Sequence, residues 1–375
     1  MNVEPVVVAA DGDLVLLLVS VGRQGDYVTS FDYYVYRAGG PSLTHLPPAA
    51  APSQYIVAVL RRTCWQHPVV QFDLHLYSSK RGCWATHNVS PVHQPRRRRH
   101  GYRTFPYHVN CKVMAVGGDA GTVAFVDLWR GILLCDVLKV EAAAGEDGGV
   151  LKVEEGEAPA PAPAPAPRRV KKQGKPPPLP LPLPLLRYIA LPPEAVWRVR
   201  SLRSDARLWR DMAVVGGRLR FVELYPHVRR CGPIYSIAGW MAVTWSRPAA
   251  VAASSSSSGD DDMISWRQDT GIRDSSTGLK VPNNLDFKRN FGVFQPVVGL
   301  QDDADIVYFT TKIHCGDDKA WVAAVDMSNK ELLGVATFPG KARSEGINDD
   351  FIIVHSRISN HLRTETSAAC SNPES

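Results

Sequence analysis

The sequence predicts an all-β fold: a β-propeller-like array of short antiparallel strands and hairpins, with packed antiparallel sheets as the alternative. Three observations carry that expectation. Short apolar runs recur along most of the 375 residues, and turns rich in Gly and Asp separate them. No apolar stripe of helical period persists, although Pro193–Arg210 could form one or two helical turns. A degenerate internal repeat joins distant parts of the chain.

The hairpins follow in order. Val6–Ala10 and Leu14–Val19 flank Asp11-Gly12-Asp13, and Tyr33–Arg37 and Leu43–Leu46 flank Ala38-Gly39-Gly40. Phe72–Tyr77 pairs with Cys83–Val89. Met114–Val116, Val123–Leu128 and Ile132–Leu138 make a three-strand meander through Gly117–Gly121 and Trp129-Arg130-Gly131. Met212–Val215 and Arg218–Leu224 enclose Gly216-Gly217, a two-residue loop in which glycine supplies positive φ at both central positions. Ile306–Thr310, Trp321–Asp326, Leu332–Phe338 and Phe351–His355 add strands near the C-terminus.

The repeat is specific in spacing. Val126-Asp127-Leu128, four residues, then Leu133-Leu134 returns as Val325-Asp326-Met327, four residues, then Leu332-Leu333. Prolines close several strands, in Leu46-Pro47-Pro48, Leu191-Pro192-Pro193 and Phe338-Pro339, as blade-to-blade connections require. At roughly 40–60 residues per unit the chain would hold about six or seven blades. Asp127 and Asp326 are then turn caps, each accepting backbone N–H bonds, and each is worth about 1 kcal/mol.

One segment stands apart. Of 29 prolines, 11 lie between Ala158 and Leu186, in Ala-Pro steps and a Pro/Leu run around Arg168-Arg169-Val170-Lys171-Lys172. Such composition cannot bury enough apolar surface to fold, so residues 141–186 read as a disordered insertion. The organisation is a first β part over 1–140, the insertion, the rest of the β-domain over 187–357, and a loose tail over 358–375.

The net charge of +6 is concentrated in the run Arg96–Arg99, which sits between Pro95 and Gly101 and reads as a solvated loop. Seven cysteines without a C-x-x-C pair argue against a zinc ribbon or redox motif and for a reducing compartment. The N-terminus lacks a basic signal-peptide region, and no apolar run approaches a membrane span. The expectation is an intracellular protein, cytoplasmic or nuclear, with Arg168–Lys172 as an import signal.

Val126–Leu138, read as VDLWRGILLCDVL, resembles the signature of the plant domain of unknown function 1618, a family expanded in grasses. Arg187–Pro192, Asp211–Leu224 and the tryptophans at 240, 245 and 266 fit the same family, and the resemblance spans about residues 110–355. The link between the first two blocks is short in that family and long here. The resemblance implies no established activity and supplies no catalytic residues.

No nucleotide loop, nucleophile elbow or zincin motif is present, so no cofactor, metal or catalytic residue is expected. Gly117–Gly121 is glycine-rich but lies in a hairpin, and the clustered histidines, His67 to His108, read as surface or turn residues. The tryptophans read as packing between blades. The expected function is a non-enzymatic protein-interaction scaffold or adaptor, a monomer that binds an unknown protein partner and no membrane. Arg130, Lys288 and Arg289 are the candidate contacts, being the residue type and turn positions enriched at binding hot spots. A hydrolase or lyase with a propeller pocket, and a weak nucleic-acid binder, are the alternatives.

Overall fold

The computed structural model describes residues 6–11, 14–21, 30–37, 44–45, 54–62, 71–91, 108–117, 119–146, 185–192, 205–231, 234–249, 266–273, 292–301, 305–312 and 319–339. Among these described residues, nineteen strands form five antiparallel blades. The first is β1 (Val6–Asp11), β2 (Leu14–Val21), β3 (Ser30–Arg37) and β4 (Thr44–His45). The second is β5 (Ile56–Arg62), β6 (Phe72–Ser78) and β7 (Cys83–Pro91). The third is β8 (Lys112–Gly117), β9 (Thr122–Asp127), β10 (Gly131–Asp136) and β11 (Leu185–Ala190). β12 (Arg210–Val215), β13 (Arg218–Cys231), β14 (Ile234–Pro248) and β15 (Arg267–Arg273) make the fourth. β16 (Gly292–Val298), β17 (Ile306–Lys312), β18 (Lys319–Asp326) and β19 (Glu331–Pro339) make the fifth. A short parallel pairing, Leu185↔Ser90 and Leu186↔Pro91, ties the second blade to the third.

The fold is the expected propeller, with five blades rather than six or seven. The third and fourth units run beyond the assumed repeat, since their first strands and that of the fifth begin at Lys112, Arg210 and Gly292. Phe351–His355, residues 147–184 of the insertion with the basic run Arg168–Lys172, the run Arg96–Arg99, and the tail lie outside the described residues, whereas Leu185 and Leu186, read as the end of the insertion, already belong to β11.

The continuous apolar strands have a direct cause: both faces are covered by neighbouring blades. On β9, Ala124 and Val126 face the fourth blade while Phe125 faces the second; on β10, Ile132 and Leu134 face one way, Leu133 and Cys135 the other. The next interface repeats the pattern, with Met212, Leu219 and Phe221 toward the third blade and Ala213, Val215 and Val222 toward the fifth. Val35, Val57 and Tyr77 fill the space between the first two blades. Trp245 and Trp240 enter opposite interfaces of the fourth blade, so the two cannot share one ligand cage.

Two local predictions need correction. The strand read as Ile132–Leu138 stops at Asp136, and a helix, α1 (Val137–Glu146), follows it into the first residues assigned to the insertion. Its Ala142-Ala143-Ala144 run is a strong helix former. The start of α1 is pinned to the β8–β9 turn by Val137 N–H to Gly121 O (3.3 Å) and Leu138 N–H to Ala120 O (3.2 Å). Gly121 permits this: its φ is +58°, and a Cβ there would stand 2.5 Å from the Leu138 side chain. Gly216 and Gly217 have φ of +53° and +67°, the type I′ signature read from the sequence.

Candidate functional site

Two of the residues singled out in the sequence, Asp127 and Arg130, meet at the β9–β10 turn, where the third blade packs on the fourth. Asp127 ends β9 and is fully buried. Its Oδ1 accepts from Trp129 N–H (2.9 Å), and its Oδ2 accepts from Val109 N–H (2.8 Å) and Arg130 Nη1 (2.9 Å). Leu128 drops into the interface core. The Trp129 ring lies against the Arg210 guanidinium of the next blade, 4.6 Å away.

Arg210 is the centre of the arrangement, and sequence reasoning missed it. It is 1% exposed. Its Nη1 donates to Leu128 O (2.8 Å) and its Nε to Glu223 Oε1 (3.0 Å); Nη2 donates to the same carboxylate oxygen. The Tyr225 hydroxyl donates to Glu223 Oε2, and the Phe221 ring centroid lies 5.9 Å from the guanidinium carbon. The signal was present: a Glu inside the apolar run Phe221-Val222-Glu223-Leu224-Tyr225 must find a cation when the strand is buried.

A second ion pair joins three blades. Lys112 Nζ, at the start of β8, lies 2.8 Å from Asp211 Oδ1 on β12, and Asp211 Oδ2 accepts from Val298 N–H of β16 (2.9 Å). Burial draws the Lys112 ammonium below the usual lysine range, and Asp211 pulls it partly back. His108 also belongs to this region. It is 5% exposed, packs edge-on against Phe72, and meets Asn110 Oδ1 through Nε2 at 2.9 Å. Burial holds its imidazole below the ordinary value, so the surface reading of this histidine is wrong.

Asp326 occupies the matching place at the end of β18, where it is half-exposed. Its Oδ1 and Oδ2 accept from Asn329 N–H and Nδ2, both at 2.8 Å. Arg130 is brought beside Asp127 and Trp129, whereas Lys288 and Arg289 lie outside the described residues.

The arrangement offers little reactive chemistry. Burial pushes the Cys111 thiol up to about 11 and the Cys135 thiol to about 12, so both are protonated at neutral pH. Among the described residues no three His, Cys, Asp or Glu side chains converge as metal ligands, and no helix is long and apolar enough to cross a membrane.

Five antiparallel blades, the third and fourth tied together by Lys112–Asp211 and by Arg210 on Leu128 O, define a β-propeller-type protein. Within it, residues 176–308 match the family model described as protein of unknown function (DUF1618). The matched span contains the Arg187–Pro192 and Asp211–Leu224 blocks and the three tryptophans; the Val126–Leu138 stretch precedes it. No curated protein and no solved structure gives a match.

Proposed function

We propose that the protein is a non-enzymatic interaction scaffold or adaptor that binds another protein through the turns on one side of its blades. The observation that carries this reading is the state of Arg130. Its side chain is 31% exposed and spends one guanidinium nitrogen on the buried Asp127. A guanidinium has five N–H donors, so most remain for a partner. The turn that carries it is held by Asp127, by Leu128 in the core and by Trp129 on Arg210. An Arg anchor presented by a rigid turn loses little entropy on binding, which is what a hot spot requires. The charges that converge from three blades are engaged with one another and with backbone amides, a fastening role that the enzyme reading would not need. Lys288 and Arg289 extend the proposed contact, and action inside the cell agrees with free cysteines at 83, 111 and 135.

The test is comparative. Changing Arg130, Lys288 and Arg289 together to Gln should release a cross-linked partner while the circular-dichroism spectrum and melting temperature stay unchanged. Turnover in a broad substrate screen, abolished by one pocket carboxylate or histidine substitution, would overturn the reading in favour of a hydrolase or lyase.

A further inference from the structure

A cleft of about 380 Å³ opens between the second and third blades, apart from the Asp127 turn. It is bounded by the start of β5, the β6–β7 turn, the β8–β9 hairpin and α1. Ile56, Val123 and Leu138 make its apolar lining, and Leu138 is 43% exposed at the mouth. The volume falls at the lower end of the range for small-molecule sites, roughly 300–1,000 Å³.

The charges at the rim are unequal. Glu141 is engaged by Arg81, whose Nη2 lies 3.4 Å from Oε1 and donates to the Glu141 backbone oxygen at 3.1 Å. Lys80, the preceding residue, lines the same cleft and has no ion-pair partner among the described residues. One ammonium therefore stands uncompensated beside an apolar hollow.

We propose that this cleft binds a small amphiphilic monoanion, an aryl or branched-alkyl carboxylate. The apolar body lies against Ile56, Val123 and Leu138, and the carboxylate meets the Lys80 ammonium. The geometry selects one negative charge rather than two. A phosphate dianion needs several converging donors, and Lys80 is the one cation among the described residues that line this cleft. A carboxylate meeting one exposed ammonium gains modestly, because water screens the pair, so most of the affinity comes from the buried body and the charge sets selectivity.

The experiment titrates the full chain with 4-phenylbutanoate and with the neutral 4-phenylbutanol, followed by ligand-observed NMR at low salt. The carboxylate should bind about threefold tighter than the alcohol, a selectivity of the size a solvent-screened ammonium–carboxylate contact supports. Lys80→Gln, a change on an exposed turn, should bring the two ligands level. Ala115→Trp, which fills the cleft from an exposed strand position, should remove binding of both. Equal binding of acid and alcohol to the unmodified protein, absence of binding, or indifference of the carboxylate to Lys80→Gln would each overturn the proposal. Lys80→Gln decides the matter by itself should Ala115→Trp fail to fold.

Discussion

The β9–β10 and β18–β19 turns begin with the same sequence pattern and end as different structures. In each, an Asp closes the middle strand of a three-stranded meander, and the next residue, Leu128 or Met327, is fully buried in an interface core. Beyond that point they part. The first turn pairs Asp127 with Gly131 and holds three residues, whereas the second pairs Asp326 with Glu331 and holds four. Lys330 takes up the extra residue with φ of +56°. A bulge then restores the ladder, with Val325 opposite Leu332 and Ala324 opposite Gly334, so Leu333 is unpaired. The identical leucine spacing has opposite outcomes: Leu133 and Leu134 are both buried, while Leu333 is 49% exposed. The neighbour decides the rest. Trp129 and Leu128 O meet Arg210 from the adjoining blade, but Ser328 Oγ turns back to Asp305 of its own blade at 3.1 Å.

The strongest way to break the contrast is to remove the neighbour's contribution. Arg210→Ala should cost about 3–5 kcal/mol, because Glu223 would be left buried without its cation. The corresponding reach from the fourth blade to the fifth, Arg220 to Asp305 at 3.4 Å, is partly exposed, and Arg220→Ala should cost under about 1 kcal/mol. Urea denaturation measures both. Equal losses would show that the adjoining blade does not distinguish the turns.

Asp127→Ala comes next. The sequence assigned both aspartates the same stabilisation of about 1 kcal/mol, as caps usually contribute. Burial separates them. Removing Asp127 would orphan the N–H groups of Val109 and Trp129 and leave Arg130 without its partner, a loss of about 3 kcal/mol in total. A loss near 1 kcal/mol in denaturation would mean that water replaces the carboxylate and that the turn is open.

How much of this was legible depends on the range of the interactions. The hairpin at Gly216-Gly217 was readable because a two-residue loop between apolar runs admits few backbone solutions. The β9–β10 meander was readable for the same local reason. The bulge at Leu333 was not, since Val325-Asp326-Met327 has the spacing of its counterpart and only the turn length differs. Nor was the partner of Glu223 legible: Arg210 is thirteen positions away, and cross-strand register alone places them opposite one another. The end of β10 at Asp136 was hidden because Val137 and Leu138 continue the apolar run, and a short apolar run does not by itself distinguish strand from helix. Arg130 was singled out from residue type and its place in a turn, and its pairing with Asp127 needed the turn geometry.

A smaller effect sharpens the second turn. Lys330 is one of two described non-glycine residues with positive φ, a conformation that costs an L-residue with a Cβ on the order of 1 kcal/mol. Lys330→Gly should raise stability by about 0.5–1 kcal/mol, read as a higher melting temperature. A decrease would show that the lost side chain, or the freer unfolded chain, outweighs the relief.

The smallest effect is that of Asp326, and pH makes it visible. The carboxylate accepts from the backbone N–H of Asn329, the largest influence on it, and from the Asn329 side chain, and these hold its folded pKa below the ordinary carboxylate value. A depressed folded value means that the stabilisation is complete above the unfolded pKa, about 3.9, and is lost as pH falls through the folded one. Asp326→Ala should therefore lower stability by about 0.5 kcal/mol at pH 7, near the lower end for a cap because solvent competes at this half-exposed site. The difference between the two proteins should shrink as the pH falls below 4 and should be insensitive to pH between 6 and 8. Paired melting curves across that range measure it, with the common background of other titrating groups cancelling in the difference. A gap that persists unchanged at pH 2.5 would mean that the side chain stabilises the turn without its charge, and that the two aspartates are more alike than their surroundings.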